Sequence, residues 1–312
     1  KGEVAALLGG GGGASSVARA CDVYVVGVQE APDLKAVEWD AALAAALAGL
    51  GSYARVAAAA LEPGGVIQLS VFVKRALLPL VESVATSTVA TGIGNVYGNK
   101  GGVGVELVYA GTRLLFVNAH LAAHQERVHE RNAHYRRIAA NLFPAGAGGG
   151  TPPGPEGGGS GGGARDATAE ADAAVWLGDL NYRIEANRAA VDLAVARDML
   201  EVLRANDQLA AEMAGGRAFA GFEEGELRFN PTYRFDAGTD VYDTSKKRRV
   251  PAWTDRVLFR ANPERAEVAL HAYTSLPTVL ASDHKPVVAR LHVALLRPRR
   301  ANPAHHPPAQ TP

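Results

Sequence analysis

Cysteine is nearly absent from this chain: among 312 residues, Cys21 is the only one. One thiol builds neither a disulfide framework nor a cysteine-rich zinc site, and the chain is expected to work in a reducing, cytoplasmic compartment. Net charge is missing as well, because 32 Lys and Arg balance 32 Asp and Glu. No global field then recruits nucleic acid, and recognition of a polyanion has to come from a local cluster such as Lys246-Lys247-Arg248-Arg249. Long apolar runs are also lacking. The longest uncharged apolar stretch, residues 41–54, is too short and too rich in Ala and Gly to span a bilayer, and no signal-peptide pattern opens the chain. Any membrane contact is therefore expected to be peripheral, with no transmembrane segment. No internal repeat of fixed period emerges. The first residue is Lys1 rather than Met, so a segment of a longer protein is expected.

Glycine and proline, by contrast, are concentrated. Residues 145–164 are nearly all Gly, Pro, Ala and Ser, cannot bury enough apolar surface to offset their ordering entropy, and are expected to form a disordered insertion within one domain. Residues 297–312, rich in Pro with His305 and His306 side by side, are expected to be a flexible tail. The domain is thus placed at residues 1–296. Gly158-Gly159-Ser160-Gly161-Gly162 matches a serine-hydrolase elbow only in letters, since the motif needs a strand before it and a helix after it.

Hydrophobic periodicity gives a coarse order of elements. Residues 23–28 form a continuous β-branched run, and 66–73, 103–108, 113–118, 256–260 and 287–293 also read as strands. Trp39, Leu43, Leu47 and Leu50 recur at helical spacing, as do Val128, Tyr135, Ile138 and Leu142. Val191, Val195, Met199 and Val202 predict a further helix face. Several strands precede and follow each helix, which suits packed sheets flanked by helices better than a strictly alternating parallel fold.

Polar residues gather at the strand tips. Glu30 ends the first run, Asn118 and His120 end another, and Asp179 with Asn181 closes the apolar Val175-Trp176-Leu177 segment. Asp255 begins a strand, and Asp283 with His284 precedes the last one. Read as an extended segment, Asp179 and Asn181 face the same way, and Gly178 lets a ligand or another backbone approach closely. Together the tips offer a hard-metal ligand, a general base, an amide donor, and an imidazole with an orienting carboxylate.

The strings GNKGGVG (98–104), VNAHLAAH (117–124), WLGDLNYRI (176–184), FNPTYRFD (229–236), PAWTDRVL (251–258) and SDHKPV (282–287) resemble, in order, those of the inositol-polyphosphate 5-phosphatases. That family belongs to the endonuclease/exonuclease/phosphatase superfamily. The resemblance implies an α/β, four-layered, DNase I-like sandwich of two packed β-sheets flanked by helices. It also implies Mg2+-dependent removal of the 5-phosphate from inositol polyphosphates or from phosphoinositides such as phosphatidylinositol 4,5-bisphosphate. By the same resemblance, Glu30 binds Mg2+, Asp179 activates the attacking water, and Asn181 helps stabilise phosphorane-like charge. His284 contacts the scissile phosphate with Asp255 orienting it, and His120 and Asp283 complete the site. Tyr233, Arg234, Lys247 and Arg249 match residues that clamp a neighbouring 4-phosphate, and Asn99 and Lys100 of the GNKGG segment are carried over as substrate-binding.

The chain departs from the family at its start, where nothing in residues 1–20 matches the strand whose Asn helps arrange the metal site, so that strand is expected to be missing. His134 replaces an acidic residue found in many relatives. A nuclease of the same superfamily would share Glu30, Asp179, Asn181, Asp283 and His284; Lys247, Arg249, the GNKGG segment and the zero net charge argue against it and against a nucleic-acid partner. A weakly active phosphoinositide-binding module is the remaining alternative, kept open by the missing strand.

Overall fold

The structure is a computed structural model that describes residue 8 and residues 21–30, 36–61, 67–92, 94, 98–144 and 166–296. The expected missing strand within residues 1–20 lies outside the described residues except for Leu8, as do the insertion at 145–164 and the tail at 297–312.

The first sheet is antiparallel, in the order β1 (Val23–Val28), β3 (Ile67–Lys74), β2 (Tyr53–Leu61). Its central strand β3 is buried on both faces, which explains the unbroken apolar stretch in its sequence. Phe72 points outward beneath helix α1 (Ala36–Leu47), where it meets Trp39, Leu43 and Leu47 at four-residue spacing, with Leu8 alongside. Asp40 pins this helix to the sheet by accepting from Ser70 Oγ at 2.6 Å and from Arg55. Ile67, Leu69, Val71 and Val73 point the other way, into the core between the sheets.

A second sheet provides the opposite wall, in the order β4 (Val81–Ala90), β5 (Gly101–Tyr109), β6 (Thr112–His120), β7 (Ala173–Asp179), β9 (Asp255–Ala261), β8 (Glu223–Glu224). Val103, Val105, Leu107, Leu114 and Phe116 face the inter-sheet core, which also receives Val268 and Val293 from the hairpin of β10 (Ala266–Ser275) and β11 (Val287–Leu295). The far face of the second sheet carries Leu115, Val117 and Trp176 against helix α2 (Val128–Asn141), through Tyr135 and Ile138. Gly102 and Gly104 admit that helix, since a Cβ on Gly102 would stand 2.7 Å from Ile138. Helix, sheet, sheet, helix is the expected four-layered order. β6 and β7 run parallel, as their connection through α2 requires, whereas the other strand pairs of this sheet are antiparallel.

Four strands lack a counterpart in the sequence reading: β2, β4, the two-residue β8, and β10. One helix expectation is corrected. The residues from Val191 to Val202 form two short helices, α4 (Arg188–Ala196) and α5 (Leu200–Ala205), not one. Asp198 takes a positive φ of 54° between them, and Met199 and Val202 are exposed rather than on a core face. Short α3 (Ala167–Glu170) precedes β7, and α6 (Gln208–Ala214) follows α5, capped by Asp207.

Candidate active site

Register brings the polar strand tips together. In the second sheet His120 stands opposite Asp179 across the parallel pair, and Asp179 stands opposite Asp255 across the antiparallel one. Gly178 makes this spacing possible: its φ is +127°, and a Cβ there would lie 2.1 Å from the Ala119 carbonyl oxygen. The close approach that the sequence left open is therefore that of the β6 backbone.

Asp179 is buried and surrounded by donors. Its Oδ2 lies 3.2 Å from His120 Nε2 and accepts from Asn181 Nδ2 at 3.0 Å, while Oδ1 accepts from the Asn181 backbone N–H at 3.0 Å. Burial favours the neutral acid, but the His120 hydrogen bond, together with the fields of His120, His284 and Arg183, outweighs it and holds the carboxyl well below the usual carboxylate range. These donors thus favour the Asp179 carboxylate.

Asn181 does converge on Asp179, though through a left-handed turn (φ 57°) instead of an extended segment. Its second amide proton goes to the Leu121 carbonyl at 3.2 Å, and its Oδ1 accepts from Arg183 Nη2. Both amide protons of Asn181 are thus engaged within the protein, one of them by Asp179. Arg183 itself donates from Nε to the Asn181 carbonyl at 3.0 Å and lies 4.3 Å above the Tyr233 ring.

On the neighbouring side, Asp255 Oδ2 lies 2.8 Å from His284 Nδ1 and also accepts from Thr254 Oγ1 at 2.9 Å and Thr232 Oγ1 at 3.2 Å. Burial alone would discharge the imidazole, yet Asp255 first, with Asp179 and Asp283 behind it, raises its pKa to about 10. Because Nδ1 is engaged by Asp255, Nε2 is the ring donor left to address a ligand. The Tyr233 ring packs 4.8 Å from that of His284.

Glu30 follows β1 with a φ of 50° and a side chain that is 74% exposed. Its Oε1 lies 3.5 Å from Lys100 Nζ and 3.6 Å from His120 Nε2. Lys100, which also contacts His120, has its pKa lowered by burial against the opposing pull of Asp179 and Glu30. Asn99 beside it has a buried Oδ1 with no hydrogen-bond partner among the described residues. No group of three or more His, Cys, Asp or Glu capable of caging a metal occurs among the described residues. An exposed single carboxylate beside an open cleft nevertheless suits a hard cation such as Mg2+, which keeps several waters and needs few protein ligands.

An open cleft of about 590 Å³ adjoins these groups, lined by Glu30, Arg234, Asp243, Ser245 and Asp283 among others. Asp283 belongs to its rim, 3.2 Å from Arg234. Arg249 donates its backbone N–H to Asp243 at 2.8 Å, and Lys247 is exposed on the same loop. The sequence reading missed Arg183, Thr232 and Thr254, as well as the buried Arg131 and the Gln208 amide that bonds it. Arg183 lies within WLGDLNYRI, and its place two residues after Asn181 was a usable signal.

A family model described as Endonuclease/Exonuclease/phosphatase family 2 matches residues 12–290. The chain is 35% identical over 286 residues to phosphatidylinositol polyphosphate 5-phosphatase type IV of Rattus norvegicus, covering 90% of this chain but 42% of that protein. It is 35% identical over 277 residues to type IV inositol polyphosphate 5-phosphatase 11 of Arabidopsis thaliana, covering 88% of this chain and 74% of the relative. Among solved structures, the inositol polyphosphate 5-phosphatase domain of SPsynaptojanin, in complex with inositol (1,4)-bisphosphate and calcium ion, superimposes with a TM-score of 0.73 at 35% identity. That match covers 88% of this chain and 76% of the other. Cimex nitrophorin, at 22% identity and a TM-score of 0.67 over 89% of each chain, shares the fold.

Proposed function

Since the chain belongs to the endonuclease/exonuclease/phosphatase family and, within it, to the inositol polyphosphate 5-phosphatases, we propose that it hydrolyses the 5-phosphate of inositol polyphosphates or phosphoinositides that carry a neighbouring 4-phosphate. The observation that carries this reading is geometric: strand register sets Asp179 between His120 and Asp255, Asp255 bonds His284 at 2.8 Å, and Glu30, near His120, lines an open cleft with Arg234 on its wall. Fold alone would not suffice, because one fold hosts unrelated functions.

In this reading Asp179, held by Asn181 and His120, takes a proton from the attacking water. His284 Nε2 and the Lys100 ammonium donate to the phosphoryl oxygens as charge builds on them, in a setting already organised by Asp255. Water oxygen joins phosphorus, the bond to the inositol oxygen breaks, that oxygen takes up a proton from solvent, and the proton held by Asp179 passes back to solvent; no bond to the enzyme forms. Arg234, Lys247 and Arg249 hold the 4-phosphate, the chemistry for which charge-assisted Lys and Arg contacts are suited. Glu30 would hold Mg2+, which when bound neutralises charge on the phosphoryl oxygens.

The test is phosphate release, with Mg2+ present, from inositol 1,4,5-trisphosphate, from phosphatidylinositol 4,5-bisphosphate in vesicles, and from duplex DNA as control. Release from either inositol substrate but not from DNA is expected. Absence of turnover on both inositol substrates, or cleavage of DNA, overturns the reading.

A further inference from the structure

Each of the two catalytic strand ends runs into a turn with a left-handed, non-glycine residue: His124 (φ 76°) after β6 and Asn181 (φ 57°) after β7. Such residues persist where the surroundings over-determine them. Here the surroundings lead to one buried side chain. Arg131, on α2, is fully buried; its Nη1 donates to the carbonyls of Ala122 at 3.1 Å and His124 at 2.6 Å, and its Nη2 to the carbonyl of Gln125 at 3.2 Å and to Gln208 Oε1 at 2.5 Å. Gln208 passes the grip to the second turn. Its Oε1 also accepts from the Arg183 backbone N–H at 2.8 Å, its own N–H donates to the Arg183 carbonyl at 2.9 Å, and its Nε2 donates to the Gln125 carbonyl at 2.9 Å and to Glu185. The Arg183 guanidinium then holds the Asn181 carboxamide oxygen, which turns the amide protons toward Asp179 and Leu121.

We propose that Arg131, acting through Gln208 and Arg183, is a positioning residue that sets the orientation of Asn181 and Asp179 for the hydrolysis proposed above, on which its catalytic consequence rests. Every hydrogen-bond acceptor Arg131 meets is neutral, so the fold gains little from burying this charge, and burial indeed lowers its pKa to about 10. What only a guanidinium supplies is a rigid fork that reaches the post-β6 turn and the start of α6 together. Lysine at this position keeps the charge and loses the fork.

Two variants, Arg131→Lys and Gln208→Met, and their combination test the assignment against Ile138→Val, a core change on the same helix. Each single variant is expected to lower kcat by up to about 10²-fold through misplacement of the base. KM should move by less than about twofold, because the 4-phosphate contacts lie elsewhere. The double variant should be no slower than the slower single one, since both act along one path. Ile138→Val should lower the melting temperature with kcat retained. Hydrogen exchange gives a readout independent of turnover: the amides of Asn181 and Arg183 should exchange faster in Arg131→Lys while those of β5 stay as in the parent. If Arg131→Lys does not fold, Gln208→Met carries the same two readouts. Parental kcat in the variants, losses that multiply in the double variant, or unchanged exchange at Asn181 and Arg183 overturns the proposal. A parent without turnover would sink the functional reading, and the exchange comparison would still decide the positioning.

Discussion

Asp179 and His284 are pushed in opposite directions by their surroundings: donors around Asp179 hold it as a carboxylate, and Asp255 favours the His284 imidazolium. Replacing Asp179 with Asn keeps the size and the Asn181 turn but removes the base, and should lower kcat roughly 10²- to 10⁴-fold with little change in KM. Steady-state kinetics at saturating substrate check this, and near-parental turnover would strip Asp179 of that role. For His284, the folded-state pKa of about 10 lies above the ordinary value of 6.5. The Asp255 contact therefore contributes stability that is complete below pH 6.5 and is lost as pH rises from there through 10. Activity that needs the imidazolium should fall along the same alkaline limb. In Asp255→Asn the main cause of the shift is gone, and the alkaline limb should move down toward neutrality. A pH profile of kcat unchanged by this substitution would mean that another group titrates there.

At the scale of elements, the legible parts were those where burial is strong or a residue's chemistry is unusual. β3 and β7 could be read because both faces are covered, and the tips Glu30, His120, Asp179, Asp255 and His284 could be read because polar residues rarely end such runs without a reason. β4 was missed because its Ser and Thr residues are largely exposed, and β2 because a run of alanines carries little periodicity. The break between α4 and α5 was hidden since Val191, Val195, Met199 and Val202 keep helical spacing across a turn that only Asp198's positive φ reveals. The hydrogen-bond partners of Asn181, Arg183 and the Leu121 carbonyl, could not be read because they depend on tertiary placement. The 243–249 loop is the element where sequence and structure together make a quantitative expectation. Asp243 anchors it by accepting from the backbone N–H groups of Ser245 and Arg249, which leaves its cations directed by the loop and not by a helix. Lys247→Ala or Arg249→Ala should each cost about 1.5–3 kcal/mol in kcat/KM on a substrate with a 4-phosphate. On a substrate lacking that phosphate each variant should match the parent, and an equal loss on both would reassign the residue to folding or to general electrostatics.

Across the whole molecule, the site spans two sheets: Glu30 leaves the first, while His120, Asp179 and Asp255 belong to the second. Their relative position depends on what crosses the gap, and one fully buried side chain does so. Asn118 of β6 donates to the carbonyls of Val28 at 3.2 Å and Gln68 at 2.6 Å and accepts from the Gln29 amide. Gly27 makes room for it, since a Cβ there would lie 2.7 Å from Asn118 Cγ. Asn118→Ala would leave these groups without their partner in a space that their neighbours cannot fill, at a cost of roughly 1–3 kcal/mol for each buried polar group left unsatisfied. The second consequence is functional. With the end of β1 no longer tied to β6, Glu30 should sit less well against Lys100 and His120, so half-maximal turnover should require more Mg2+, while selectivity for the 4-phosphate should persist because the 243–249 loop is anchored elsewhere. Denaturant melts and Mg2+ titrations of activity on parent and variant measure the two effects separately. Reduced stability with an unchanged Mg2+ requirement would show that Asn118 joins the sheets without placing Glu30, and an unchanged stability would show that the bridge is replaceable by water.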